Sequence, residues 1–96
     1  WMRLEAADLV TQKAARLFDE GRPCGPEANA AKYLASDAGF EAADRAMQFH
    51  GGFSMSTEYH VSRFWMEARH LKIAPISQQM VQNYISDKVL GLPRSY

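Results

Sequence analysis

Apolar residues recur along this chain at helical spacing, and no stretch alternates with period two convincingly enough to read as a strand. From Met2 to Phe18, Ala6, Val10, Ala14 and Leu17/Phe18 form one stripe, and Arg3, Glu5, Asp8 and Lys13 fall off it. That spacing predicts an amphipathic helix, which Gly21 and Pro23 stop. A second and longer run, Pro26 to His50, carries one stripe of Ala31, Ala35, Ala38, Ala42, Ala46 and Phe49 and another of Phe40, Ala43 and Met47. A helix apolar on two faces belongs at the centre of a bundle. Pro26 suits its first turn, where no N–H is needed. Glu27 favours the positive end of the helix dipole, and Gly51-Gly52 predicts its C-terminal cap.

A third helix is predicted over Glu58 to Lys72, with Thr57 as N-cap and an apolar stripe of Val61, Phe64, Trp65, Ala68 and Leu71. A fourth is predicted over Gln78 to Leu90, with Ser77 as N-cap. Val81, Ile85 and Val89 share one face, with Met80 and Tyr84 beside it, and Gly91 and Pro93 end it. The expected fold class is all-α: an antiparallel four-helix bundle with short loops, in one domain covering residues 1–96. Such a bundle is compatible with enzymes, adaptors and association modules alike.

Composition narrows this little. The chain has 96 residues, 47% hydrophobic and 23% charged, which is ordinary globular usage. Eleven basic and eleven acidic residues cancel. Without a basic patch or tail, nothing favours nucleic acid as a partner. No apolar run approaches the roughly 20 residues that span a bilayer, and no segment of the sequence reads as a signal peptide, so none is expected. One cysteine, Cys24, rules out an intrachain disulfide framework and a multi-cysteine zinc site. It fits a reducing, cytoplasmic compartment and reads as a plain loop thiol within Gly21-Arg22-Pro23-Cys24-Gly25-Pro26. Met2 runs directly into helical sequence after Trp1, as in the interior of a longer polypeptide.

Residues 42–69, AADRAMQFHGGFSMSTEYHVSRFWMEAR, carry the most information. They resemble the C-terminal helical domain of the acyl-CoA dehydrogenases, flavoenzymes that desaturate acyl-CoA thioesters. The family pattern there runs Ala-Asp, Gln, Gly-Gly-x-Gly, Glu-Tyr-Pro, a basic residue, then Arg-Asp-Ala and a basic residue. Ala43-Asp44, Gln48, Gly51-Gly52, Glu58-Tyr59, Arg63 and Ala68-Arg69 match it. The resemblance runs from the first helix to about Asn83, and it is the order and spacing of the matches that carry it.

The departures matter as much. The last glycine of the family turn is Ser54 here, the proline after Glu-Tyr is His60, and the Arg-Asp pair is Met66-Glu67. The family's Tyr-Glu-Gly-Thr falls on Ala74-Pro75-Ile76-Ser77. In many members that glutamate is the catalytic base, and Pro75 has no acid–base group. The reaction needs one, since a carboxylate must remove the proton α to the thioester carbonyl while the β-hydride goes to the flavin. Some members carry the glutamate on an earlier helix, which would lie upstream of Trp1. The expectation is therefore that no catalytic residue lies in this chain and that the chain alone is inactive.

The resemblance implies FAD as cofactor. It places Gln48, Phe49, His50, Gly51 and Gly52 against the flavin dinucleotide of a neighbouring subunit, and Ser77, Gln78 and Gln79 in contact with the cofactor. Glycine lets backbone approach a ligand closely, and a helix N-terminus offers free N–H groups to polar cofactor edges. From the residues alone, Gly51-Gly52 is a helix stop and Ser77 an N-cap. The resemblance further implies an acyl-CoA substrate, an electron-transfer flavoprotein as electron acceptor, and a homodimer or homotetramer with this domain at the interface. Ile76 stands where the family has a small glycine near the thioester, which predicts a narrowed or reshaped site.

The remaining polar residues take plainer readings. His60 and His70 lack the i, i+4 spacing of a helical metal pair, so no metal is expected. Glu41, Asp44 and Arg45 read as a surface charge cluster. Glu58, Arg63 and Arg69 read as ion-pair or capping residues, and Trp65 and the methionines as core or interface. Two other readings stay open: a non-catalytic helical association module, and an acyl-CoA oxidase or flavin monooxygenase relative.

Overall fold

The computed structural model describes residues 1–94. Four helices form: α1 (Met2–Asp19), α2 (Gly25–His50), α3 (Val61–Leu71) and α4 (Gln78–Lys88), with a 3-10 segment, Gly51–Met55, following α2. No strand occurs among the described residues, and none of their helices is long and apolar enough to cross a membrane. The all-α class predicted from periodicity is the class observed.

α2 is the spine of the domain. α1, α3 and α4 each pack on it and, among the described residues, not on one another. Cross-helix contacts show that all three run antiparallel to α2. Arg3 pairs with Asp37 and Glu41, and Lys13 pairs with Glu27 at 2.9 Å, which sets the direction of α1. On α3, Trp65 lies against Phe40 and Asp44, and Arg69 lies over Phe40. On α4, Gln82 reaches Tyr33, and Tyr84 meets Gly25. α3 therefore covers the second half of α2 and α4 the first half. The two lie end to end along one side of α2, and α1 lies on another.

Small residues make this possible. The buried apolar set is Ala7, Leu17, Ala31, Ala38, Val61 and Val81, so α1 and α2 approach mainly through alanine. Gly25 has the same use at the other end of α2. A Cβ built there would collide with the Tyr84 hydroxyl, so a side chain at this position requires the phenol to move.

The core is thin. Among the described residues no side chain is fully buried, while Trp1, Phe49, Met2, Phe18 and Met55 are each more than 70% exposed. The radius of gyration is 16.0 Å, against roughly 12.5 Å for a compact domain of this length.

Three details of the predicted elements change. α3 begins at Val61, not Glu58, and Thr57 does not cap it. Glu58 N–H donates to the Ser56 hydroxyl at 3.3 Å, a local side-chain bond that competes with helix. His60 then takes a left-handed φ of 56° and becomes the N-cap. Gly51 does cap α2, at φ 57°, but the chain continues into the 3-10 segment. In the predicted stripes Ala7 points inward rather than Ala6, and Phe49, Phe64, Leu71 and Val89 are exposed.

Candidate functional site

The break between α3 and α4, residues 72–77, lies over the midpoint of α2. Its peptide Ala74–Pro75 is cis. Both ends of the break are fastened to two consecutive residues of α2. On the near side, Lys72 Nζ donates to Asp37 Oδ1 at 2.8 Å. On the far side, the Gln78 side-chain amide donates to Ser36 Oγ at 3.4 Å. Gln78 N–H also donates to the Lys72 carbonyl at 3.1 Å, which closes the loop on itself.

Lys72 is held from a second direction, with its ammonium 5.0 Å from the Phe40 ring centroid. That is within cation–π range, and the Lys72 side chain is only 16% exposed. Arg3 of α1 reaches Asp37 from the other side at 3.7 Å. The hydrogen bond from Lys72 holds the Asp37 carboxyl below its ordinary value, against the opposing effect of burial. The charge of Lys72, the Gln78 side chain and the charge of Arg3 add to the lowering.

Beyond the break, Ser77 has the extended conformation of an N-cap, and its hydroxyl accepts from Met80 N–H. With Gln78 N–H given to Lys72 and Met80 N–H to Ser77, the Gln79 N–H remains open at the start of α4 among the described residues. Gln79 is exposed, and Ile76 is half exposed. Neither Pro75 nor Ile76 offers an acid or base, and Lys72 and Asp37 are occupied with each other. The turn can present an apolar surface and neutral donors, but it cannot move a proton.

The other predicted residues lie at the C-terminal end of α2. Gln48, Phe49, His50, Gly51 and Gly52 are all exposed. His50 Nδ1 lies 2.9 Å from the Ala46 carbonyl. Ser54 is buried, and its hydroxyl donates to the Gly51 carbonyl at 2.7 Å. Asp44, Met47, Gln48, Gly51 and Ser54 line a groove of about 280 Å³. Trp65 Nε1 donates to Asp44 at 2.9 Å, fixing one side of it. Nothing lies within 4 Å of a Cβ built on Gly51 or Gly52, so both faces are open to a ligand.

The structure thus gathers each predicted set locally and keeps the two apart. Ser36, beside the Ser77–Gln79 set, and Gln48 are separated by about 18 Å along α2 at 1.5 Å per residue. Both sets present neutral donors and acceptors on exposed backbone turns, a chemistry that fits the polar edges of a dinucleotide.

Sequence reasoning missed Ser36, Asp37, Lys72 and Ser54. Asp37 and Lys72 are opposite charges 35 positions apart, and no helical spacing links them. Other charged candidates settle as surface pairs: Glu41 with Arg45 at 2.8 Å and Arg63 with Glu67 at 3.1 Å. Arg69 lies over Phe40 at 5.6 Å, and Glu58 makes no ion pair among the described residues.

Comparison with known proteins gives this geometry a context. The profile of the acyl-CoA dehydrogenase C-terminal domain matches residues 1–89. Acyl-CoA dehydrogenase FadE12 of Mycobacterium tuberculosis (strain ATCC 25618 / H37Rv) is 46% identical over 97 residues, covering 99% of this chain and 25% of that protein. The caffeyl-CoA reductase-Etf complex subunit CarC of Acetobacterium woodii is 36% identical over 88 residues, covering 92% of this chain and 23% of that protein. A solved structure from work on the electron transferring flavoprotein of Acidaminococcus fermentans and flavin-based electron bifurcation aligns with a TM-score of 0.86 and 30% identity. It covers 93% of this chain and 23% of its own. The chain spans about a quarter of the length of these relatives.

Proposed function

The chain belongs to the acyl-CoA dehydrogenase family, as its C-terminal domain, and from that premise we propose that it is the C-terminal quarter of an FAD-dependent enzyme acting on acyl-CoA thioesters. The observation that carries the reading is the turn over the middle of α2. It is held rigidly at both stems, displays Pro75 and Ile76 to the outside, and opens directly onto the capped start of α4. A turn built this way serves as a wall of a substrate pocket and as an edge for a cofactor.

FAD, when bound, supplies the acceptor for the β-hydride. The residues here that would hold it are Ser77, Gln78 and Gln79 on one side and Gln48 to Gly52 on the other, the second set facing the cofactor of a neighbouring subunit. The α-proton goes to a carboxylate outside this chain, because Pro75 stands where the family's turn carries an acid. The exposed cluster of Phe49, Phe53, Met55 and Tyr59, with the Phe53 and Tyr59 rings 5.5 Å apart, supports a homo-oligomer joined at this end of α2. An electron-transfer flavoprotein is the partner that drains the electrons.

The test is direct. The whole enzyme is purified and titrated anaerobically with acyl-CoA. Bound flavin that bleaches on addition is expected; a colourless protein that retains no FAD on loading ends the reading. The relative named as a caffeyl-CoA reductase favours a second direction for the same chemistry. In that case the reduced enzyme reoxidises on addition of an enoyl-CoA faster than the oxidised enzyme bleaches with the saturated thioester.

A further inference from the structure

The turn that this reading places in the pocket has no strong anchor of its own. Ile73 N–H and Ala74 N–H both donate to the His70 carbonyl at 2.9 Å, continuing α3 by one residue each. Pro75 has no N–H to give. From Pro75 to Ser77 the one backbone hydrogen bond among the described residues is that of the Ser77 carbonyl, which accepts from Val81 N–H of α4 at 3.1 Å. The position of the turn is therefore set by what holds Lys72 before it and Gln78 after it. Both lead to the same place on α2, Lys72 to Asp37 and Gln78 to the adjacent Ser36.

Resting on the reading above, we propose that Asp37 is a positioning residue for the substrate pocket: it grips Lys72 at one stem of the 73–77 turn while the adjacent Ser36 receives Gln78 at the other, so that Ile76 and the start of α4 are presented at a fixed height over α2. Three features support this role over a general contribution to stability. Lys72 is nearly covered and is also seated over Phe40, so its ammonium has one defined location rather than a surface sweep. Asp37 also receives Arg3 from α1, which ties the turn to the helix on another side of the spine. Ser36 is buried and already bonded to the Tyr33 carbonyl at 3.1 Å, so the platform under the turn does not shift with it.

The kinetic consequence follows from the chemistry. The turn carries no acid or base, so displacing it weakens contact with the bound thioester in the ground state and the transition state alike. That raises KM and leaves kcat nearly unchanged. The experiment uses the flavin-loaded full-length enzyme with Asp37→Asn, Asp37→Glu, Lys72→Met, the Asp37→Asn/Lys72→Met pair, and Ile76→Gly. Asp37→Asn and Lys72→Met are each expected to raise the acyl-CoA KM by roughly tenfold, about 1.4 kcal/mol, with kcat per bound flavin within twofold. Asp37→Glu keeps the charge and stays near the parent.

The double variant is expected to be no worse than either single one, because both remove one interaction. Lys72→Met leaves no uncompensated buried ammonium, so it reports even where Asp37→Asn does not fold. A purely structural role lowers the folded fraction and kcat per mole of protein without moving KM, and that result overturns the proposal. Ile76→Gly separates the two levels. If it shifts KM or chain-length preference while Asp37→Asn and Lys72→Met do not, the positioning role falls and the pocket reading stands. If Ile76→Gly changes neither, the pocket reading fails and takes the proposal with it.

Discussion

Lys72 donates to Asp37 across 2.8 Å, joining the C-cap of α3 to the middle of α2. α1 reaches the same carboxylate through Arg3, and the N-cap of α4, Ser77, follows Lys72 by five residues. Lys72 before the break is pinned to Asp37 beneath it on α2, and Gln78 after the break to Ser36, so α3 and α4 can follow one another over α2 with little polar sequence between them.

Acid sensitivity follows from that pair. The folded Asp37 carboxyl titrates below its unfolded value, with the Lys72 hydrogen bond the largest cause. The stabilisation is therefore complete above the unfolded carboxylate pKa of about 4 and is lost as pH falls through the lower folded value. Asp37 is 38% exposed, so solvent screening keeps the effect below about 1 kcal/mol. Thermal unfolding from pH 7 down to pH 2 is expected to show a shallower acid slope in Lys72→Met than in the parent. Identical slopes would remove this pair from the account.

Lys32 has a buried ammonium without a hydrogen-bond partner among the described residues. A buried donor left unmade costs free energy that a similarly shaped apolar group does not. Lys32→Met is expected to stabilise the chain by about 1 kcal/mol, read as a rise in the urea midpoint at constant slope. A fall in the midpoint would mean that the ammonium finds a partner in solution.

Gly25 and Tyr84 are coupled by space. Gly25→Ala drives its Cβ into the phenolic oxygen, whereas the next ring atom lies at 3.2 Å. The Ala substitution is expected to cost about 1 kcal/mol more in the parent than in a Tyr84→Phe background. Equal costs in both backgrounds would show that α4 moves freely away from α2 at that point.

Ser77 caps α4 by accepting from Met80 N–H. Ser77→Ala is expected to lower stability by about 1 kcal/mol, and Ser77→Asp to restore most of it. Hydrogen exchange in the first turn of α4 distinguishes a local cap from a global effect. Unchanged protection there in Ser77→Ala would mean that the helix start is held by packing on α2 alone.

Much of this molecule can be read without coordinates. The alanine stripe of α2, the stops at Gly21, Gly51 and Gly91, the cap at Ser77 and the family pattern from Ala43 to Arg69 are local matters. They depend on backbone freedom, capping chemistry and spacing within one helix, all of which a sequence states directly. The boundary of α3 was not legible, because the Ser56 hydroxyl takes the Glu58 N–H in a local turn, and the helix starts only after His60, where Val61 is buried.

The inward residue of α1 was off by one position, Ala7 rather than Ala6, because a helical stripe is broad and the partner surface decides its centre. The role of Asp37 was invisible for a stronger reason. Its meaning comes from the register of helices against one another, which brings Arg3 and Lys72 to one carboxylate from two distant parts of the chain. Sequence by itself determined which segments become helices and to which family they belong. Tertiary structure alone decided which charges meet, since the distance between side chains on different helices is set by packing and not by spacing along the chain.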